Sequence, residues 1–197
     1  FSSPDVRLDM AYAVYKPFDW LTAVGGKFKN PLWTPNGWLW DGDIRPEGVS
    51  ISMNRTVGNI DLFLNNGFWI LDEKSSSSRD PAMVVVQPGV TANFGKGGYF
   101  TGAFGYYNFI NVKDSELDFS AETNTRNPDD TYRYDPDAYV VSAEIGTTDT
   151  GIDMIPFAAA FGDYVKADDT SSEDTGYMFG AKFGPLGSVS HLPVFEL

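Results

Sequence analysis

Four charged residues, Asp41, Asp43, Arg45 and Glu47, crowd into seven positions, and three tryptophans, Trp33, Trp38 and Trp40, stand just before them. Groups of this kind break no bonds by themselves. Their chemistry is the field they impose, because fixed charges lining a narrow aqueous path select ions by sign and acidic linings favour cations. Arg45 is also spaced to pair with Asp41 or Asp43 and so pin the segment to its support, a role compatible with the first. Further charges stand singly within apolar stretches: Arg7, Asp9, Lys27, Lys29, Asp61, Glu144 and Lys182. Their mixed signs suit opposed charges across an eyelet, which orient polar solutes by field.

Bond-making chemistry is poorly provided for. General acid–base or nucleophilic catalysis needs a histidine near a carboxylate or serine, and the single histidine, His191, opens a late strand. There is no cysteine and no nucleophile elbow, HExxH pair, phosphate loop or dinucleotide fingerprint. The expectation is therefore a protein that is not an enzyme. Acid concentrates in two other segments, at Asp114, Glu116, Asp118, Glu122, Asp129, Asp130, Asp135 and Asp137, and at Asp168, Asp169, Glu173 and Asp174. Carboxylate clusters can hold Ca²⁺, which takes about six to eight oxygens, and loop-bound Ca²⁺ is the one cofactor these residues offer. Neither run has the spaced Asp and Gly pattern of a dedicated calcium loop, so solvated loop surface is the simpler account. The formal net charge of −13 predicts a negative mouth that concentrates cations and disfavours nucleic acid or anionic lipid.

The elements that must carry these charges are strands. Alternating apolar and polar residues predict ten, at 6–15, 19–29, 48–55, 59–71, 82–94, 98–111, 137–147, 151–165, 176–184 and 189–197, the last incomplete. Short turns are expected at Lys16–Phe18, Thr56–Gly58, Gly95–Gly97, Thr148–Thr150 and Pro185–Ser188. Long connections fall at Asn30–Glu47, Asp72–Pro81, Val112–Pro136 and Lys166–Thr175. Short and long alternate, which places every short turn on one side of the sheet. Transmembrane β-barrels have this asymmetry, with strands of roughly 9 to 11 residues crossing the bilayer at a tilt. Asn30–Glu47 is long yet rich in order-promoting residues, with Pro35-Asn36-Gly37 as a tight turn, and is the expected mouth or constriction loop.

A barrel wall in lipid sets apolar side chains outward and admits polar ones inward. Ile60, Leu62, Leu64, Phe68 and Ile70 share one face, with Asp61 and Asn65 on the other; Tyr139, Val141, Ala143 and Ile145 oppose Ser142 and Glu144. Ile155, Phe157, Ala159 and Phe161 read as a third outward face, and Tyr177, Phe179, Ala181 and Phe183 as a fourth, opposite Gly180 and Lys182. Between Tyr99 and Ile110 aromatics fall on both faces. The charged wall residues from Arg7 to Lys182 are expected inward, since a basic side chain in lipid near the midplane costs about 2 to 4 kcal/mol. Aromatics at 15% suit side chains with one apolar and one wet end. No apolar run approaches the ~20 residues of a membrane helix.

The linked pieces Leu8-Asp9-Met10-Ala11-Tyr12-Ala13, Gly26-Lys27-Phe28-Lys29-Asn30-Pro31 and Leu39-Trp40-Asp41-Gly42-Asp43-Ile44-Arg45-Pro46-Glu47-Gly48-Val49 resemble the putative-porin family of outer-membrane β-barrels. The Gln87 strand, Tyr106-Tyr107, Gly162-Asp163-Tyr164-Val165 and Gly176-Tyr177-Met178-Phe179-Gly180 resemble it more loosely. The resemblance implies an antiparallel barrel of 14–18 strands, of which this chain is a single-domain part lacking strands at one or both ends. It further implies passive diffusion of small hydrophilic solutes and ions across a bacterial outer membrane, with outer-membrane lipid as partner and homotrimerisation by analogy. The residues themselves add a cation preference set by Asp41–Glu47 and the acidic loops. Two other readings stay open: a sugar-selective pore with the tryptophans as a greasy track, and a secreted all-β carbohydrate-binding module using Trp33, Trp38 and Trp40. Gly184-Pro185-Leu186-Gly187-Ser188 is either a natural turn or the remnant of a cleaved tag.

Overall fold

The computed structural model describes residues 9–74, 79–118, 124–168 and 174–185. They form one antiparallel sheet of nine strands, each hydrogen-bonded to the next in chain order: β1 Ala11–Phe18, β2 Leu21–Lys27, β3 Glu47–Val57, β4 Ile60–Ile70, β5 Ala82–Phe94, β6 Gly98–Ile110, β7 Asp137–Thr147, β8 Phe157–Ala167 and β9 Thr175–Gly184. Among the described residues β1 and β9 do not pair with each other, so this sheet is open. Nine strands stand where ten were expected; the tenth, at 189–197, lies outside the described residues, as do Arg7, His191 and Leu186–Ser188.

Tight turns follow from local chemistry. Gly58, at φ 64°, supplies the left-handed residue of the two-residue connection between β3 and β4, and Gly95 and Gly97, at 57° and 77°, do the same between β5 and β6. Two expected turns move. Lys16–Phe18 belongs to β1, whose register with β2 shifts between Tyr15 and Phe18 around Pro17, and the chain reverses at Asp19-Trp20 instead. The expected strand at 151–165 begins only at Phe157, leaving a connection at 148–156 that is longer than the one at 168–174, so the strict alternation of lengths fails here. Three features account for the delay: Pro156 has no amide to give a ladder, Gly151 takes φ 74°, and the Asp149 and Thr150 side chains accept the amides of Gly151 and Ile152 at 3.1 Å. Met154, inside the expected strand, is 85% exposed.

Strand alternation gives the sheet two unlike faces. One buries Ser50, Asn65, Trp69, Met83, Val85, Gln87, Tyr107, Val140, Ser142 and Asp163; the other leaves Val49, Leu62, Phe68, Phe104, Val141, Ile145 and Phe179 exposed. The covering element is the connection between β2 and β3, residues 28–46, whose Phe28 and Leu32 join Trp69, Met83, Val85, Tyr107, Ala138 and Val140 in the core. The expected faces hold in β4, β7 and β9. In β8 the phase is reversed: Phe157, Ala159 and Phe161 are buried on the covered face at 3%, 8% and 5% exposure, alongside Asp163. Phe161 fits there because Gly180 on β9 has no side chain, and a Cβ on it would lie 2.3 Å from the ring.

Candidate functional site

The 28–46 loop keeps its shape through its own short polar side chains. The Phe28 amide donates to the Pro46 carbonyl at 3.0 Å and closes the base. Asn30, Asn36 and Asp41 each turn a side-chain oxygen onto the amide two residues on, accepting from Leu32 at 2.9 Å, Trp38 at 2.6 Å and Asp43 at 2.8 Å. Arg45 donates from Nη1 to the Gly42 carbonyl at 2.6 Å, and its Nε lies 3.5 Å from Asp9. The expected partner of Arg45 was Asp41 or Asp43; it is Asp9, while Asp41 accepts the Asp43 amide inside the turn.

Three attachments fix the loop across the sheet. Trp40 packs edge-on against Trp69 and Tyr107 and donates from Nε1 to the Tyr107 hydroxyl at 3.2 Å. The Trp69 ring is itself held by a 2.8 Å bond from its Nε1 to Ser50 Oγ. Gln87, 1% exposed on β5, treats Trp33 as a neighbouring strand would: its Oε1 accepts from the Trp33 amide and its Nε2 donates to the Trp33 carbonyl, both at 2.8 Å. At the tip, Asn36 donates to Asp163 Oδ2 on β8 at 2.5 Å, while Ser142 of β7 donates to Oδ1. Lys182 of β9 donates to the Pro35 carbonyl. Buried polar groups in this face are thus paired, as burial requires.

The charges expected on the wall divide among several places. Glu144 and Lys182 meet on the covered face with Nζ 3.0 Å from Oε2, and the Tyr99 hydroxyl donates to the other Glu144 oxygen at 2.7 Å. Asp61 is on the same face nearer the short turns, accepting from Thr56 Oγ1 at 2.6 Å and Asn93 Nδ2 at 3.2 Å. Lys27 was expected inward, but it pairs in register with Glu47 at the end of the β2–β3 ladder on the parity of Val49 rather than of Ser50. The reason is the phase of β2, which sends Val24 and Phe28 to the core. At this rim they border a cavity of about 440 Å³ shared with Arg45, Trp40, Trp69 and Asp72. Lys29, Asp41 and Asp43 are exposed. The tryptophans do not form one platform: Trp40 is in the core packing, Trp33 is 6.4 Å from Phe63, and Trp38 is 42% exposed beside Gly176 of β9.

Glu122, Asp169 and Glu173 lie outside the described residues, and the acids that are described near them are tied locally. Asp72 pairs with Lys74 at 2.7 Å and accepts from the Asp118 amide at 3.2 Å. Burial works to raise the Asp72 pKa, but the hydrogen bond and charge of Lys74 and the Asp118 amide outweigh it and hold the carboxyl below its usual range; Lys74 is raised in turn by its bond to Asp72. Asp129 is lowered by Thr131, and Asp174 by Lys166. Among the described residues no three His, Cys, Asp or Glu side chains come together as a metal site. Sequence reasoning missed Gln87, Asn36, Ser142 and Asp163 as site residues. Gln87, Ser142 and Asp163 carry one signal, a polar side chain on the parity of buried apolar neighbours, as in Val85-Gln87 and Phe161-Asp163, while Asn36 shows only as the middle of the Pro35-Asn36-Gly37 turn.

A family model described as "Putative porin" matches residues 1–143. No curated protein and no solved structure matches the chain.

Proposed function

Because the chain belongs to the putative-porin family, we propose that its sheet is part of a transmembrane β-barrel through which small hydrophilic solutes and ions diffuse passively across an outer membrane, with a preference for cations. The observation that carries this reading is a bare apolar face backed by one that carries Asp61, Gln87, Ser142, Glu144, Asp163 and Lys182 among its packed rings and is crossed by a structured loop. Lipid suits the first and water the second. Strands such as β3, β4, β7 and β8, at 11 residues, are about 36 Å long and at a 45° tilt rise about 25 Å, the height of a barrel's apolar band. No described helix is long and apolar enough to span a bilayer, and a barrel needs none.

Cation preference is assigned to the wall as well as to the loop. Asp61, Glu144 and Asp163 share the covered face with Lys182, an excess of acid in a path where charge sign selects. Asp41 and Asp43, exposed on the loop, add to the acidic mouth. In lipid an unpaired strand edge is prohibitive, so the edges of β1 and β9 are closed by further strands in the working barrel.

The test is conductance of the purified full-length protein in a planar lipid bilayer under a salt gradient. Stepwise openings with a cation-selective reversal potential are expected, less selective after Asp41→Asn with Asp43→Asn. Folded protein that inserts but never conducts overturns the proposal.

A further inference from the structure

The loop tip is fastened to β7, β8 and β9 by polar groups beside the Trp38 ring at Gly176, and one of its fastenings is an ion pair. Lys182 reaches Glu144 at 3.0 Å, donates to the Pro35 carbonyl, and stands 4.9 Å from the Phe161 ring centroid. The two charged side chains are 15% and 12% exposed, and Tyr99 satisfies the second Glu144 oxygen. Asn36, one residue along the tip, is held by Asp163. The two clamps therefore differ in charge: the first is neutral overall, and the second carries a carboxylate with only neutral donors.

We propose that the Lys182–Glu144 pair determines ion selectivity at the level of the loop tip, with Lys182 both cancelling the field of Glu144 and positioning the tip through Pro35. The proposal rests on the porin reading above. Where the tip narrows the path, a passing ion meets the pair at close range, and removing one partner leaves an uncompensated charge in a poorly solvated wall. Asp163 and Asp61 then stand as the uncompensated acids of the wall, and the pair fixes how much Glu144 adds to them.

Position and charge separate by sign. Lys182→Met and Glu144→Gln each remove the ion pair that steadies Lys182, so a purely structural role moves open-channel current noise in the same direction in both. An electrostatic role moves the reversal potential in opposite directions, toward cation selectivity in Lys182→Met and away from it in Glu144→Gln. The double variant restores the native reversal potential while the noise stays high, and Lys182→Arg keeps the native selectivity. Single-channel recording of the full-length protein under a salt gradient reads all four variants against the native channel. Reversal potentials that shift in the same direction in both single variants, or a double variant displaced from the native value, overturn the proposal while leaving the porin reading standing. A native protein that does not conduct removes both. Unchanged reversal potentials in both single variants overturn the proposal as well, and because the double variant leaves no lone buried charge, its displacement from the native value overturns it even where a single variant fails to insert.

Discussion

Replacing Gln87 with alanine removes the side chain that joins the loop to the middle of the sheet. Gln87 makes two bonds to the Trp33 backbone at 2.8 Å and accepts a third from Asn65 Nδ2 at 3.2 Å. At about 1 kcal/mol net for each bond, the expected loss is about 3 kcal/mol, falling toward about 1.5 kcal/mol where water enters and rehydrates the orphaned Trp33 amide and carbonyl. A local loss of about 3 kcal/mol corresponds to roughly a hundredfold in the opening equilibrium. Two assays read it: urea unfolding of the protein in detergent micelles, and hydrogen exchange at the Trp33 amide. Gln87→Glu is the sharper control, because it keeps the acceptor for the Trp33 amide but turns a carboxylate oxygen on the Trp33 carbonyl. That variant should be less stable than alanine at neutral pH and recover in acid, when the carboxyl regains a donor. A loss below about 0.5 kcal/mol with unchanged Trp33 exchange would refute the view that Gln87 carries the loop.

The other expectations test orientation, packing and pH. Val141→Arg places a cation on the bare face where Val141 is 49% exposed, and should cost about 2 to 4 kcal/mol of stability in lipid; equilibrium unfolding in vesicles that finds no loss would mean that this face does not meet lipid. Gly67→Ala sets a Cβ 2.3 Å from Trp69 Nε1, displaces that ring from Ser50, and should destabilise by about 1 to 3 kcal/mol, with a shift in tryptophan fluorescence. The Asp72 clamp is lost in acid. A carboxyl whose folded pKa lies below its ordinary 3.8 adds stability that is complete above 3.8 and disappears as pH falls through the lowered value. The raised Lys74 adds stability that is present below its ordinary 10.5 and disappears as pH rises beyond it. The Asp118 amide resonance should report the acid transition in the native protein and lose it in Asp72→Asn; a native resonance that does not titrate in acid excludes the contact.

Strand positions were legible where turn residues bracket an apolar run, as Pro81 and Gly95 bracket β5 at Ala82–Phe94, with bounds that match the sequence pattern, but not at 151–165, where the strand starts only at Phe157. What failed was the side to which an apolar face turns. Ile155, Phe157, Ala159 and Phe161 share one parity and read as lipid-facing, yet Phe161 is buried against Gly180 on the covered side. Alternation shows that a face is apolar but not whether lipid or a distant loop covers it. The same limit hid the site. The loop announced its order through Trp33, Trp38, Trp40 and its proline, but its partners Gln87, Asp163 and Lys182 are 54, 127 and 147 positions away, beyond the reach of any local pattern. Arg45 and Asp9 show the converse error, a nearby partner expected where a distant one is used.

The two ends of the loop are held by different physics, and in the proposed porin that difference bears on how the path beside it behaves. At the base, Phe28, Leu32 and Trp40 bury apolar surface against Trp69, Met83, Val85 and Val140, an attachment driven by exclusion of water and little affected by ionic strength. At the tip, Asn36, Asp163, Ser142, Lys182 and Glu144 form hydrogen bonds and an ion pair, whose strength depends on the local dielectric and on screening. A loop anchored in this way pivots on its base when the tip is weakened, instead of leaving the wall altogether. Salt and charge substitutions should therefore act on the tip and on selectivity, while loss of Trp40 or Trp69 should act on the fold. That division puts the tunable part of the molecule where the strands carry their charges and its stability where they carry their rings.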